Sequence, residues 1–90
     1  MTRAAGSLRI YLQTPPSEGG TIRFCQLFLQ PDLLGGWTVV RESGQQGGAG
    51  RIRRDHFAQI NDAEAALMQE RDRLLQRGYR IVFAQGAERP

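Results

Sequence analysis

Apolar and polar residues alternate along much of the first two thirds of this chain. Leu8-Arg9-Ile10-Tyr11-Leu12-Gln13 switches sides at every step and predicts a strand. Thr14-Pro15-Pro16-Ser17-Glu18-Gly19-Gly20 breaks the pattern, because two prolines and two glycines do not continue a sheet. A second strand is expected over Ile22 to Gln30, rich in Phe24, Leu27, Phe28 and Leu29. Pro31-Asp32-Leu33-Leu34-Gly35-Gly36 turns the chain, with both leucines expected to tuck beneath the loop. Trp37-Thr38-Val39-Val40 is strongly β-favouring and opens a third strand that should end at Glu42. Ser43 to Gly50 then reads as a flexible glycine-rich connection. A fourth strand follows over Arg51 to Phe57, with an imperfect pattern: Ile52 and His56 share a face with Arg54, and Phe57 falls on the other. A bulge, or an end at His56, would bring it into line.

The period then changes. Ala63, Ala66, Leu67, Glu70 and Leu74 recur at helical spacing, with Leu67 and Leu74 as anchors and Leu75 beside them. Asn61, with Glu64 three places on, has the form of a capping box. Glu70, Arg71, Asp72, Arg73 and Gln76 are assigned to the solvent side. Gly78 stands just past the helix end, where a left-handed residue is favoured, and Tyr79 to Phe83 reads as a short last strand. The pattern predicts an α+β fold: a twisted antiparallel sheet of four to five strands with one helix packed on it. Its span is 7–84, flanked by tails over 1–6 and 85–90.

Ninety residues make one domain with a thin core. The lone cysteine, Cys25, permits no internal disulfide, and a reducing, cytoplasmic setting is the expectation. No apolar run has the length of a membrane span, and the first residues lack the apolar stretch of a secretory signal. The formal net charge is +3, and its distribution is uneven. Through Ile60 there are seven arginines against four acids, and from Asn61 on there are five against five. Every basic side chain is arginine, which meets phosphate and carboxylate in planar, bidentate fashion.

Catalytic constellations are not legible. Asp55 and His56 are neighbours on a strand and should point to opposite faces, so they do not form a dyad. Ser43 precedes Gly44, but Arg41 occupies the place of the first glycine of a nucleophile elbow. One His and one Cys are too few for a zinc site. The glycine-rich segment is followed by Arg51-Ile52-Arg53-Arg54, a strand pattern, whereas phosphate-cradling loops lead into a helix. The expectation is a non-catalytic binding module with no cofactor, no metal and no small-molecule substrate.

From Arg23 to Tyr79 the chain resembles the WGR domain family. The resemblance is carried by the strand Arg23-Phe24-Cys25-Gln26-Leu27-Phe28-Leu29-Gln30, the turn from Pro31 to Gly36, and Trp37-Thr38-Val39-Val40-Arg41-Glu42. A glycine-bearing loop, an alternating strand and a helix closing on Gly78-Tyr79 follow in the same order. At the position of the family's Trp-Gly-Arg stands Ser43-Gly44-Gln45. The resemblance implies a twisted antiparallel sheet with one helix, and an association with nucleic acid, DNA breaks in particular. No transferase activity is implied.

Two readings of function follow. In the first, arginines of the sheet bind nucleic acid weakly, with Arg41, Gln45, Arg51, Arg53 and Arg54 as the contacting residues. In the second, the domain has lost nucleic-acid binding and docks a protein partner, through a sheet edge or an apolar patch around Leu33, Leu34 and Trp37.

Overall fold

The computed structural model describes residues 8–86. The expected 1–6 tail and the end of the expected 85–90 tail lie outside the described residues. Five strands form one sheet: β1 (Arg9–Gln13), β2 (Arg23–Pro31), β3 (Trp37–Gln45), β4 (Gly50–Phe57) and β5 (Arg80–Gln85). All pairings are antiparallel, in the order β4-β3-β2-β1-β5. The helix α1 (Ile60–Gln76) connects β4 to β5 across one face. The fold is α+β, as the patterning predicted.

The pairing register sorts the side chains into two faces, since successive strand residues point opposite ways. On the inner face, under α1, one row runs Ala84, Ile10, Leu27, Arg41, Arg53 from β5 to β4. The next row runs Ile81, Leu12, Cys25, Ser43, Arg51. The core forms where these rows are apolar: Ile10, Leu12, Cys25, Leu27, Leu29 and Val39 meet Ala63, Leu67 and Leu74 of the helix. Completely burying one such Leu or Ile is worth about 1.5–3 kcal/mol, so this cluster dominates the stability of a small domain. Toward β4 the inner face turns from apolar to arginine.

Several local expectations are corrected. Leu33 and Leu34 do not tuck under their loop but stand fully exposed. Asp32 organises that turn instead: the Leu34 and Gly36 N–H groups each donate to its Oδ1 at 2.9 Å, which leaves the intervening side chains outside. β3 does not stop at Glu42. It runs through Ser43-Gly44-Gln45, because all three pair with Arg23 to Cys25 on β2, and Ser43 and Gly44 pair also with Arg51 and Gly50 on β4. β4 neither bulges nor ends at His56: its register with β3 is unbroken to Phe57, which packs against the core while Ile52 stays exposed. The helix begins two residues earlier than the capping-box reading, with Gln59 in place of Asn61 in the cap position and no side-chain cap bond there. Leu75, placed beside the two anchors, is exposed. Gly78 adopts φ 97°, the left-handed ending expected of it. β5 extends to Gln85 and carries an irregularity opposite Tyr11 and Leu12, where Phe83 pairs with Tyr11 and Ile81 with Leu12.

Candidate nucleic-acid interface

A cleft of about 940 Å³ opens at one end of the inner face. Its wall is the end of the β3–β4 hairpin, the start of β2, the loop after β1 and the end of α1. Four arginines converge on it: Arg23, Arg41, Arg51 and Arg77. Thr14, Ser43, Gln45 and Tyr79 complete the polar lining, and among the described residues no Asp or Glu lines it.

Each arginine arrives by a different route. Arg23 shares its strand parity with Cys25, Leu27 and Leu29 and so points to the helix side, one step beyond the core. Its N–H donates to Thr14 Oγ1 at 3.0 Å, and the Thr14 N–H donates to the Arg23 carbonyl at 2.9 Å. Arg51 sits opposite Ser43 across the hairpin. Arg77 ends the helix, where the free carbonyls favour a cation. Its N–H closes the last turn on Arg73 O and Leu74 O. Arg41 lies deepest and donates to Glu70 of α1, with both side chains half-buried. Glu70, expected to face water, is therefore turned to the sheet.

The charge balance follows. Among the described residues Arg23, Arg51 and Arg77 make no ion pair, whereas Arg41 is engaged by Glu70. The cleft presents three uncommitted guanidinium groups and one internally neutralised one. Arg23, Arg51 and Arg77, lining one cleft with no ion-pair partner among the described residues, favour a ligand with several anionic oxygens.

Of the five residues expected to contact nucleic acid, Arg41, Gln45 and Arg51 line this cleft. Arg53 shares the inner face but lies outside it, 3.5 Å from Asp55 Oδ2. Arg54 points to the opposite face, beside Val40. Arg23, Arg77 and Tyr79 are additions that the sequence reading missed. Strand parity was the available signal for Arg23; nothing local places Arg77 beside the hairpin.

Two other polar groups complete the electrostatics. His56 Nδ1 lies 3.1 Å from Thr38 Oγ1 and 3.5 Å from Asp32 Oδ2, so the lone histidine belongs to the β2–β3 turn and does not meet Asp55. The Gly36 and Leu34 N–H groups hold the Asp32 carboxyl below its ordinary range. Burial pushes the Cys25 thiol up, with Arg41 drawing it partly back. Among the described residues no three of His, Cys, Asp and Glu come together as a metal-ligand set, and no helix is long and apolar enough to cross a membrane. No protein-family model, curated protein or solved structure matches the chain.

Proposed function

We propose that the protein is a non-catalytic, WGR-like module that binds nucleic acid through the arginine cleft, in a cytoplasmic setting. The observation that carries this reading is the convergence of Arg23, Arg51 and Arg77, together with Arg41, on one cleft where, among the described residues, Arg41 alone is engaged by a carboxylate. Phosphate oxygens of a DNA backbone are the ligand chemistry that suits it. Gln45 adds a neutral hydrogen bond at the rim, and the half-buried Tyr79 ring offers a flat surface beside the phosphates. The cleft lies where the resemblance puts its signature motif: Ser43, Gly44 and Gln45 are all part of the wall. Few phosphate contacts imply modest affinity, with Kd on the order of 10⁻⁴–10⁻⁶ M at physiological salt. Fluorescence anisotropy of a labelled DNA duplex, titrated with protein between about 50 and about 200 mM salt, tests it. Salt-sensitive binding supports the cleft, and no binding at the lower salt removes it.

One observation favours the second reading, a protein-interaction module. Leu33 and Leu34 stand fully exposed at the tip of the β2–β3 turn, beside Pro31 and the half-buried Trp37. Adjacent, wholly exposed leucines on a tight turn are a suitable anchor for an apolar pocket on a partner. Replacing both with serine leaves DNA affinity unchanged if the cleft is the functional site, and abolishes partner binding if the tip is.

A further inference from the structure

The sheet face opposite α1 is built differently from the inner one. Among the described residues no helix or strand packs on it. Its middle row runs Phe83, Tyr11, Gln26, Glu42, Ile52 from β5 to β4. The row on one side is Gln85, Arg9, Phe28, Val40, Arg54, and the row on the other is Arg80, Gln13, Phe24, Gly44, Gly50. Four aromatic rings therefore share one face. Tyr11 and Phe24 stack with centroids 6.0 Å apart and planes at 22°. The Arg9 guanidinium lies over the Phe28 ring, 5.1 Å from its centroid. Phe83 is 48% exposed, and Ile52, Arg9, Arg54 and Arg80 are exposed beside these rings.

The charge on this face has one sign with one exception. Arg9, Arg54 and Arg80 make no ion pair among the described residues. Glu42 is the one acid in its three strand rows among the described residues, and Gln26 Nε2 donates to it at 3.4 Å. A solvent-facing sheet that only shed water would not need four rings, and a purely apolar interface would not need three unpaired guanidinium groups among them. Rings interleaved with arginines that make no ion pair match a ligand that alternates flat bases with phosphates. A duplex hides its bases, so the ligand class is single-stranded nucleic acid.

We propose that this face is a second binding surface, distinct from the cleft, on which unpaired bases stack on Phe83, Tyr11 and Phe24 while phosphates meet Arg9, held over Phe28, and Arg54 and Arg80. It stands on the opposite side of the sheet and does not depend on the cleft's role. Base stacking on aromatic rings tolerates any sequence, so binding is general and not base-specific.

The test is anisotropy of a fluorescent oligothymidine with the wild type and two sets of variants. The face set is Phe83→Ala and the pair Arg9→Gln with Arg54→Gln, all at exposed positions that leave the core intact. The cleft set is Arg51→Gln with Arg77→Gln. The expected result is a loss of about tenfold in affinity for Phe83→Ala, and a salt slope lower by about 1.4 for the arginine pair. The cleft set is expected to keep single-strand affinity whatever it does to duplex binding. Absence of oligothymidine binding at low salt overturns the proposal. So does loss through the cleft set alone, or equal loss through both. A dimer in sedimentation velocity that Phe83→Ala dissolves, with no oligothymidine bound, assigns the face to a second copy of the chain and equally overturns it.

Discussion

Arg41 of β3 donates to Glu70 of α1, and this ion pair joins sheet and helix at the point where the apolar core gives way to the arginine cleft. Side-chain exposures of 27% and 18% put it partly out of water, where removing one partner strands the other. Arg41→Gln is therefore expected to cost stability, about 1–3 kcal/mol in urea denaturation, more than it costs DNA affinity. Glu70→Gln has the opposite functional sign. It releases the Arg41 guanidinium to the cleft, and duplex affinity at low salt rises a few-fold while the folded state weakens.

Two glycines are required by close approach. A Cβ on Gly36 falls 2.7 Å from the Phe57 carbonyl oxygen, and one on Gly44 falls 3.0 Å from Ala49 O and 3.1 Å from Gly50 Cα. Gly36→Ala is expected to destabilise by about 1–3 kcal/mol and Gly44→Ala by less, because its neighbours need shift only slightly. Gly48→Ala is the control: its Cβ meets Gln45 O at 3.5 Å, an ordinary contact, and stability changes by no more than about 0.5 kcal/mol. Gly44 is the residue that the proposed WGR resemblance aligns with the signature glycine, and the hairpin's tight pairing gives it a structural reason apart from any ligand.

Strand patterning carried most of the fold, since alternation at Leu8–Gln13 and Ile22–Gln30 maps directly onto a half-buried sheet. It failed where residues are held by partners and not by their own preference. Ser43-Gly44-Gln45 has loop composition, yet pairing with β2 along its length and with β4 at Ser43 and Gly44 holds it extended. The helix start was misplaced because Asn61 has the right chemistry for a cap but lies two residues inside the chain's actual entry at Gln59. For the site, Arg41, Gln45 and Arg51 were legible as arginines and a glutamine flanking one glycine-rich connection. Arg23 and Arg77 are 54 positions apart in the numbering, and only tertiary packing brings them to the same cleft. Arg54, next to Arg53 in sequence, faces the other side of the sheet, as strand alternation implies, and so stands apart from the cleft.

The Asp32 turn predicts an acid dependence. Its carboxyl is held below the ordinary value of 3.8 by the Gly36 and Leu34 N–H groups, with His56 adding to the effect. A depressed folded pKa contributes stability that is fully present above the unfolded value and is lost as pH falls through the folded one. The urea midpoint of the wild type should therefore drop below about pH 4 by an increment that Asp32→Ala lacks. Equal acid dependence in the two proteins would contradict this role for the turn.

Cys25 carries the opposite sign. It is fully buried beneath α1, and burial raises its thiol above the ordinary value of 9.0. The neutral thiol is the form the fold prefers, so its contribution is present below that value and fades as pH rises toward the folded pKa. In the native protein an aromatic disulfide reagent at mildly alkaline pH should react slowly, at a rate set by opening of the fold, and at once in urea. Immediate stoichiometric reaction of the native protein would contradict the packing of β2 against the helix.

The cleft is tested most directly by the salt dependence of duplex DNA binding in wild type and in the triple variant Arg23→Gln, Arg51→Gln, Arg77→Gln. Each phosphate contact contributes about 0.9 to the slope of log affinity against log salt. The three uncommitted arginines therefore predict a slope shallower by about 2.7 in the variant, with affinity at low salt falling in step. An unchanged slope, in a variant with the wild-type circular dichroism spectrum, would contradict the assignment of DNA binding to this cleft.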